Sequence, residues 1–68
     1  MLRQTIRNMK YSELHRLIKA NGWVKLRQMG TSHVIYKKGS IIYPVPNHGA
    51  KEVGTGLEKK IKKDMGLV

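Results

Sequence analysis

The feature that most limits the fold is how the middle of the chain is cut into three short runs. Gly30-Thr31 and Lys38-Gly39 are turn signals, and they separate Trp23–Met29, Ser32–Lys37 and Ser40–Val45. The second run holds Val34, Ile35 and Tyr36, and the third holds Ile41, Ile42 and Tyr43, residue types that suit a pleated, half-buried surface. Connections this short make neighbouring strands antiparallel, because a parallel crossover needs about a dozen residues or more. Pro44 and Pro46 place the third strand at a sheet edge or a strand end, since proline has no N–H for a central ladder.

Helical patterns flank the three runs. Ser12 is a candidate N-cap, Glu13 suits the positive end of the helix dipole, and Leu14, Leu17 and Ile18 form an apolar stripe at i, i+3, i+4. Gly22 is a natural residue just past a helix end, which predicts a helix over residues 12–21. After a polar loop from Asn47 to Gly54, Thr55-Gly56-Leu57-Glu58 fits a capping box. Leu57, Ile61 and Met65 then mark one helical face, Gly66 ends the helix, and Leu67 and Val68 are placed to fold back onto the core. The expected architecture is α+β in the order α-β-β-β-α, with two helices on one face of a three-stranded antiparallel sheet and the other face open. This is also the layout of the double-stranded-RNA-binding domain. Residues 1–68 read as a single domain, in which residues 1–9 are either an extra helical turn or a flexible basic arm.

Charge narrows the function. Fourteen Lys and Arg against four Asp and Glu leave a formal net charge of +10. Such a balance points to a polyanionic partner, and it makes a chain that repels itself. With no cysteine, disulfides, thiolate metal sites and a cysteine nucleophile are excluded. No apolar run approaches the roughly 20 residues of a membrane span, and no signal-peptide core follows the basic N-terminus, so the expected location is the cytoplasm. The three histidines have no zinc-site spacing, no close carboxylate pair stands out, and no glycine-rich nucleotide loop is present. Neither a metal nor a cofactor is expected.

His33 is the leading candidate for chemistry. It follows the Gly30-Thr31-Ser32 turn, where a glycine lets another backbone approach and where amides and hydroxyls of Thr31 and Ser32 suit a phosphate oxygen. An imidazole near neutral pH can move the proton in attack of an RNA 2′-hydroxyl on its own phosphate, without a metal. DNA lacks that hydroxyl, so the chemistry selects RNA. Arg27, Lys25, Lys37 and Lys38 decorate the strands, and Lys59, Lys60, Lys62 and Lys63 lie off the apolar face of the last helix. They read as a salt-sensitive, sequence-independent phosphate surface, because few of them can find an acidic partner within the chain. His48, in the loop with Pro46, Asn47 and Gly49, is a candidate second proton-transfer group. His15, in mid-helix, reads as surface or satisfied, and Trp23 reads as core.

Four pieces of the chain, in order, carry a family likeness. They are the helix running into Asn21-Gly22-Trp23 and Leu26-Arg27-Gln28; the turn Gly30-Thr31-Ser32-His33; Tyr43-Pro44-Val45-Pro46-Asn47-His48-Gly49; and Gly54-Thr55 with its lysine-rich helix ending in Met65-Gly66-Leu67. From about Tyr11 onward the chain resembles the HicA family of bacterial toxins, the mRNA interferase half of HicA–HicB toxin–antitoxin pairs. The resemblance implies a double-stranded-RNA-binding-domain-like fold and metal-independent RNA cleavage. It puts the family's catalytic histidine at His33 and its glycine at Gly30, here with two residues between them where the commonest pattern has one. It also implies an acidic HicB-type antitoxin as partner. Together these readings predict a small endoribonuclease toxin in which His33 is the acid or base and Gly30, Thr31, Ser32, Arg27, Lys37, Lys59, Lys60 and Lys63 hold RNA. The alternative is a non-catalytic RNA-binding module.

Overall fold

The computed structural model describes residues 9–30 and 32–68. Its elements run α1 (Tyr11–Ala20), β1 (Val24–Met29), β2 (His33–Lys38), β3 (Ile41–Pro46) and α2 (Thr55–Met65). This is the expected α+β order, with strand bounds shifted by one residue. β2 lies between β1 and β3, and both pairings are antiparallel.

Both prolines of β3 fit an edge strand for a specific reason. Pro46 pairs with His33 and Pro44 with Ile35. The Asn47 amide donates to Ser32 O at 2.6 Å across the His33–Pro46 rung, which marks that rung as a non-hydrogen-bonded pair. Alternation along the ladder makes Ile35–Pro44 another. An N–H at either position would point away from β2, off the sheet edge, so proline removes no ladder bond.

Register also sorts the two faces. Val34 with Val45 and Tyr36 with Tyr43 turn toward the helices. His33, Ile35 and Lys37 turn the other way, in rows with Arg27, Pro44 and Ile42. The core joins Tyr11, Leu14 and Ile18 of α1 to Val34, Tyr36 and Val45 of the sheet and Ile61 and Met65 of α2, with Trp23 and Val53 from the connections. Both helices therefore cover one sheet face, and the other is open. β1 is the least covered strand: Val24 is 64% and Leu26 48% exposed, and a bulge between Lys25 and Arg27 interrupts its register.

Helix starts differ from the sequence reading. α1 begins at Tyr11 with Lys10, not Ser12, as N-cap, and the Glu13 carboxylate accepts the Lys10 N–H at 2.9 Å. The free amides of Tyr11 and Ser12 donate to Lys51 O (3.0 Å) and Gly49 O (3.1 Å), so loop carbonyls do what a side-chain cap was expected to do. α2 likewise starts at Thr55 with Gly54 as N-cap, and the Glu58 carboxylate accepts from the Lys62 ammonium at 2.7 Å and from Met9 N at 3.4 Å. The apolar stripe of α1 is rotated from expectation: Tyr11, Leu14, His15 and Ile18 are buried, while Leu17 is half-buried.

The chain ends are tied down where they are described. Met9 O accepts the Val53 amide at 2.7 Å, and Lys10 bridges Glu52. Of the arm expected over residues 1–9, Met9 is therefore held against the core, and residues 1–8 lie outside the described residues. Gly22, at φ +92°, carries the chain out of α1 into buried Trp23, whose indole N–H donates to Met65 O at 3.2 Å. That places Trp23 in the core, away from any stacking role. Leu67 packs onto the core, but Val68 is fully exposed.

Candidate active site

His33 opens β2, and its side chain is exposed on the open sheet face. The preceding turn presents it. Gly30 sits at φ +59°, a left-handed conformation that costs a side-chain-bearing residue, while a Cβ there would meet nothing within 4 Å. Backbone shape, not space, requires glycine at that point. Ser32 is half-buried, and its Oγ lies 3.4 Å from His33 Nδ1. Thr31 lies outside the described residues.

The rung partner Pro46 leads directly into the loop that carries His48. The Asn47 side chain accepts the Gly49 amide at 3.1 Å, shaping the loop as an Asx turn, and His48 O accepts the Lys51 amide at 3.3 Å. The exposed His48 ring meets Tyr11 edge-on, with centroids 4.9 Å apart at 81°. The fold thus brings the Ser32-His33 turn and the Asn47-His48 loop to one end of the sheet.

The cations divide between two layers. Arg27 and Lys37 share the open face with His33. Lys59, Lys60 and Lys63 are exposed on α2, in the helical layer. Two lysines of α2 do have acidic partners: Lys60 contacts Asp64 at 2.7 Å and Lys62 contacts Glu58 at 2.7 Å, both at i,i+4. The Tyr43 hydroxyl donates to the same Asp64 carboxylate at 2.8 Å, tying β3 to α2. The Lys60 ammonium and the Tyr43 hydroxyl hold the Asp64 carboxyl below its usual range, and the Lys62 hydrogen bond does the same for Glu58. Lys59 and Lys63 form no ion pair among the described residues. Also among the described residues, no three His, Asp or Glu side chains gather to hold a metal ion, and no helix is long and apolar enough to cross a membrane.

Sequence reasoning missed a buried polar triad beneath this end of the sheet. His15 Nε2–H donates to Pro46 O at 2.8 Å, which leaves Nδ1 as the acceptor for the Tyr36 hydroxyl at 2.6 Å. The signal was the spacing Tyr11, Leu14, His15, Ile18, which puts His15 on the buried stripe. Burial depresses the basicity of His15, Lys19 and Lys25 depress it further, and the Pro46 carbonyl opposes them.

This gives stability a pH dependence. An unfolded His15 takes up a proton below its ordinary 6.5, whereas the folded ring resists it. Stability is complete above that value and falls as pH drops below it, toward the lower folded pKa. Urea midpoints should therefore decline between pH 7.5 and pH 5, and His15→Gln should flatten the decline. An equal decline in both proteins would remove His15 as the cause.

The fold, the charge and this exposed site define a small basic α+β domain with one uncovered sheet face. The family model described as "HicA toxin of bacterial toxin-antitoxin" matches residues 11–67, and the chain belongs to the HicA toxin family. It is 44% identical over 59 residues, covering 87% of this chain and 97% of the relative, to a protein of Pseudomonas fluorescens (strain Pf0-1) named "Probable mRNA interferase HicA". No solved structure matches the chain.

Proposed function

We propose that this protein is an endoribonuclease toxin that cleaves mRNA, with the His33 imidazole as general acid or base. The observation that carries the reading is the exposed imidazole beside Ser32 and the left-handed Gly30 turn, on an open face shared with Arg27 and Lys37. The relative's name as an mRNA interferase supports it.

The reaction needs few parts. A base takes the proton of the 2′-hydroxyl, the 2′-oxygen forms a bond to the adjacent phosphorus, and the bond to the 5′-oxygen breaks. An acid returns a proton to that leaving oxygen. One imidazole supplies one of these transfers, and His48 on the neighbouring loop is the candidate for the other. Arg27 and Lys37 stabilise charge building on the phosphate, while amides and hydroxyls of Gly30, Thr31 and Ser32 hold its oxygens. Lys59, Lys60 and Lys63 extend the contact to neighbouring phosphates, Lys60 by exchanging Asp64 for phosphate. No step calls for a metal ion.

The same charge suits a HicB-type antitoxin with an acidic surface, in the cytoplasm where mRNA is translated. An acidic protein seated on the open face would neutralise Arg27 and Lys37 and cover His33 together.

Analysis of product ends tests the proposal. RNA incubated with the protein should yield 2′,3′-cyclic phosphate and 5′-hydroxyl ends, at a rate unchanged by EDTA. Ends of the opposite polarity, or loss of cleavage in EDTA, would point to metal-assisted attack by water. RNA bound but uncut would leave the binding-module reading.

A further inference from the structure

We infer that His15 is a positioning residue, which from inside the helical layer sets the place of the strand end against which His33 is held. The inference rests on the reading of His33 as the catalytic group.

The geometry of one rung leads there. His33 faces Pro46 in a non-hydrogen-bonded pair, so neither residue bonds the other across the ladder. Pro46 has no N–H, and its carbonyl points off the free edge of β3. A backbone carbonyl there is left to water or to a neighbour. His15 Nε2–H takes it at 2.8 Å. On the β2 side, just past the rung, Asn47 N donates to Ser32 O at 2.6 Å. The end of β3 is thus held between two bonds, one to the turn before His33 and one to the imidazole of α1.

That imidazole is itself fixed. The Tyr36 hydroxyl donates to Nδ1 at 2.6 Å, and Tyr36 is 1% exposed in β2, three residues beyond His33. The ring therefore has one tautomer and one orientation, and it bridges the strand of His33 to the strand of Pro46. The same helical face carries Tyr11, one turn earlier, against the His48 ring. Loop carbonyls of Gly49 and Lys51 accept the first amides of α1. One helix face, on which Tyr11, Leu14, His15 and Ile18 are buried, thus lies beside the strand end and the loop that carry both candidate proton-transfer groups.

A merely structural histidine would change stability and leave turnover alone. A positioning histidine changes turnover in protein that remains folded, because small misplacements at a reacting centre cost rate steeply, about 100-fold for 1 Å. The test compares His15→Leu, His15→Gln and Tyr36→Phe with wild type in steady-state RNA cleavage, below each variant's thermal transition. His15→Leu should lower kcat about 10- to 100-fold and leave KM for RNA within about threefold, since phosphate contacts set affinity. His15→Gln offers a donor to Pro46 O and an acceptor to the Tyr36 hydroxyl, and it should recover most of the loss. Tyr36→Phe keeps the ring volume, frees His15 to turn, and should fall between them. NMR of the ring protons should show His33 broadened or shifted in His15→Leu and restored in His15→Gln.

Wild-type kcat in folded His15→Leu, or equal loss in the Leu and Gln variants, would overturn the inference. Should His15→Leu fail to fold, Tyr36→Phe with wild-type kcat and an unmoved His33 signal overturns it instead. Failure of the underlying reading is distinguishable: His33→Ala would then cleave as well as wild type. The NMR comparison would still decide whether His15 places that ring.

Discussion

Replacing His33 with alanine should lower RNA cleavage by about two to four orders of magnitude, the usual contribution of a positioned acid or base. The same substitution should leave the protein folded. His33 is exposed at the first position of β2, and its side-chain hydrogen bond is the 3.4 Å contact with Ser32 Oγ. Truncating such a surface side chain changes stability within about 0.5 kcal/mol. RNA affinity should persist too, because the charge that attracts phosphates lies on Arg27, Lys37 and the lysines of α2. The measurement is kcat and Kd on a short RNA for both proteins, with circular dichroism to confirm the fold. In cells, the alanine variant should no longer arrest growth. Cleavage by the variant at the wild-type rate would remove His33 from the mechanism.

The second large effect lies in the core. Leu14→Ala should cost about 2–5 kcal/mol, because Leu14 is fully buried and its removal leaves a cavity in the core. A chain of 68 residues has about 3–10 kcal/mol of total stability by the usual per-residue figure, so this one change takes a large part of it. The expected result is a marginal or unfolded protein at 37 °C. Urea titration followed by the emission of Trp23, the single tryptophan, reads it directly. A loss below about 1 kcal/mol would mean that the helices close over the gap, at the low end of cavity costs. Self-repulsion at +10 makes the outcome depend on conditions, since added salt screens exposed like charges. The variant should recover some stability in salt.

Much of the architecture was legible before any coordinates. The turn signals at Gly30-Thr31 and Lys38-Gly39 divided the middle of the chain into three strands whose bounds moved by one residue, and Pro44 and Pro46 correctly marked an edge. The helix N-caps were not legible, although Gly22 and Gly66 marked the two helix ends. Ser12 is a good cap by type, yet α1 starts one residue earlier, because the Tyr11 and Ser12 amides find Lys51 O and Gly49 O, carbonyls far along the chain that reach α1 only in the fold. The acid–lysine pairs of α2 were legible, as Glu58–Lys62 and Lys60–Asp64 stand four residues apart. His15 was half legible: its helical phase puts it on the buried stripe, but its partners lie 21 and 31 residues away.

The amino-acid order alone determined the sequence of elements, the antiparallel connection of the strands, the strong positive charge and the presence of an imidazole after a glycine turn. It did not determine which side of the sheet that imidazole would face. A strand alternates its side chains with a period of two, so the pattern defines two faces and labels neither. Only the packing of α1 and α2 over Val34, Tyr36 and Val45 chose the covered face. By that choice the sheet left His33, Arg27 and Lys37 together in solvent, and it placed His15 beneath the strand end beside them.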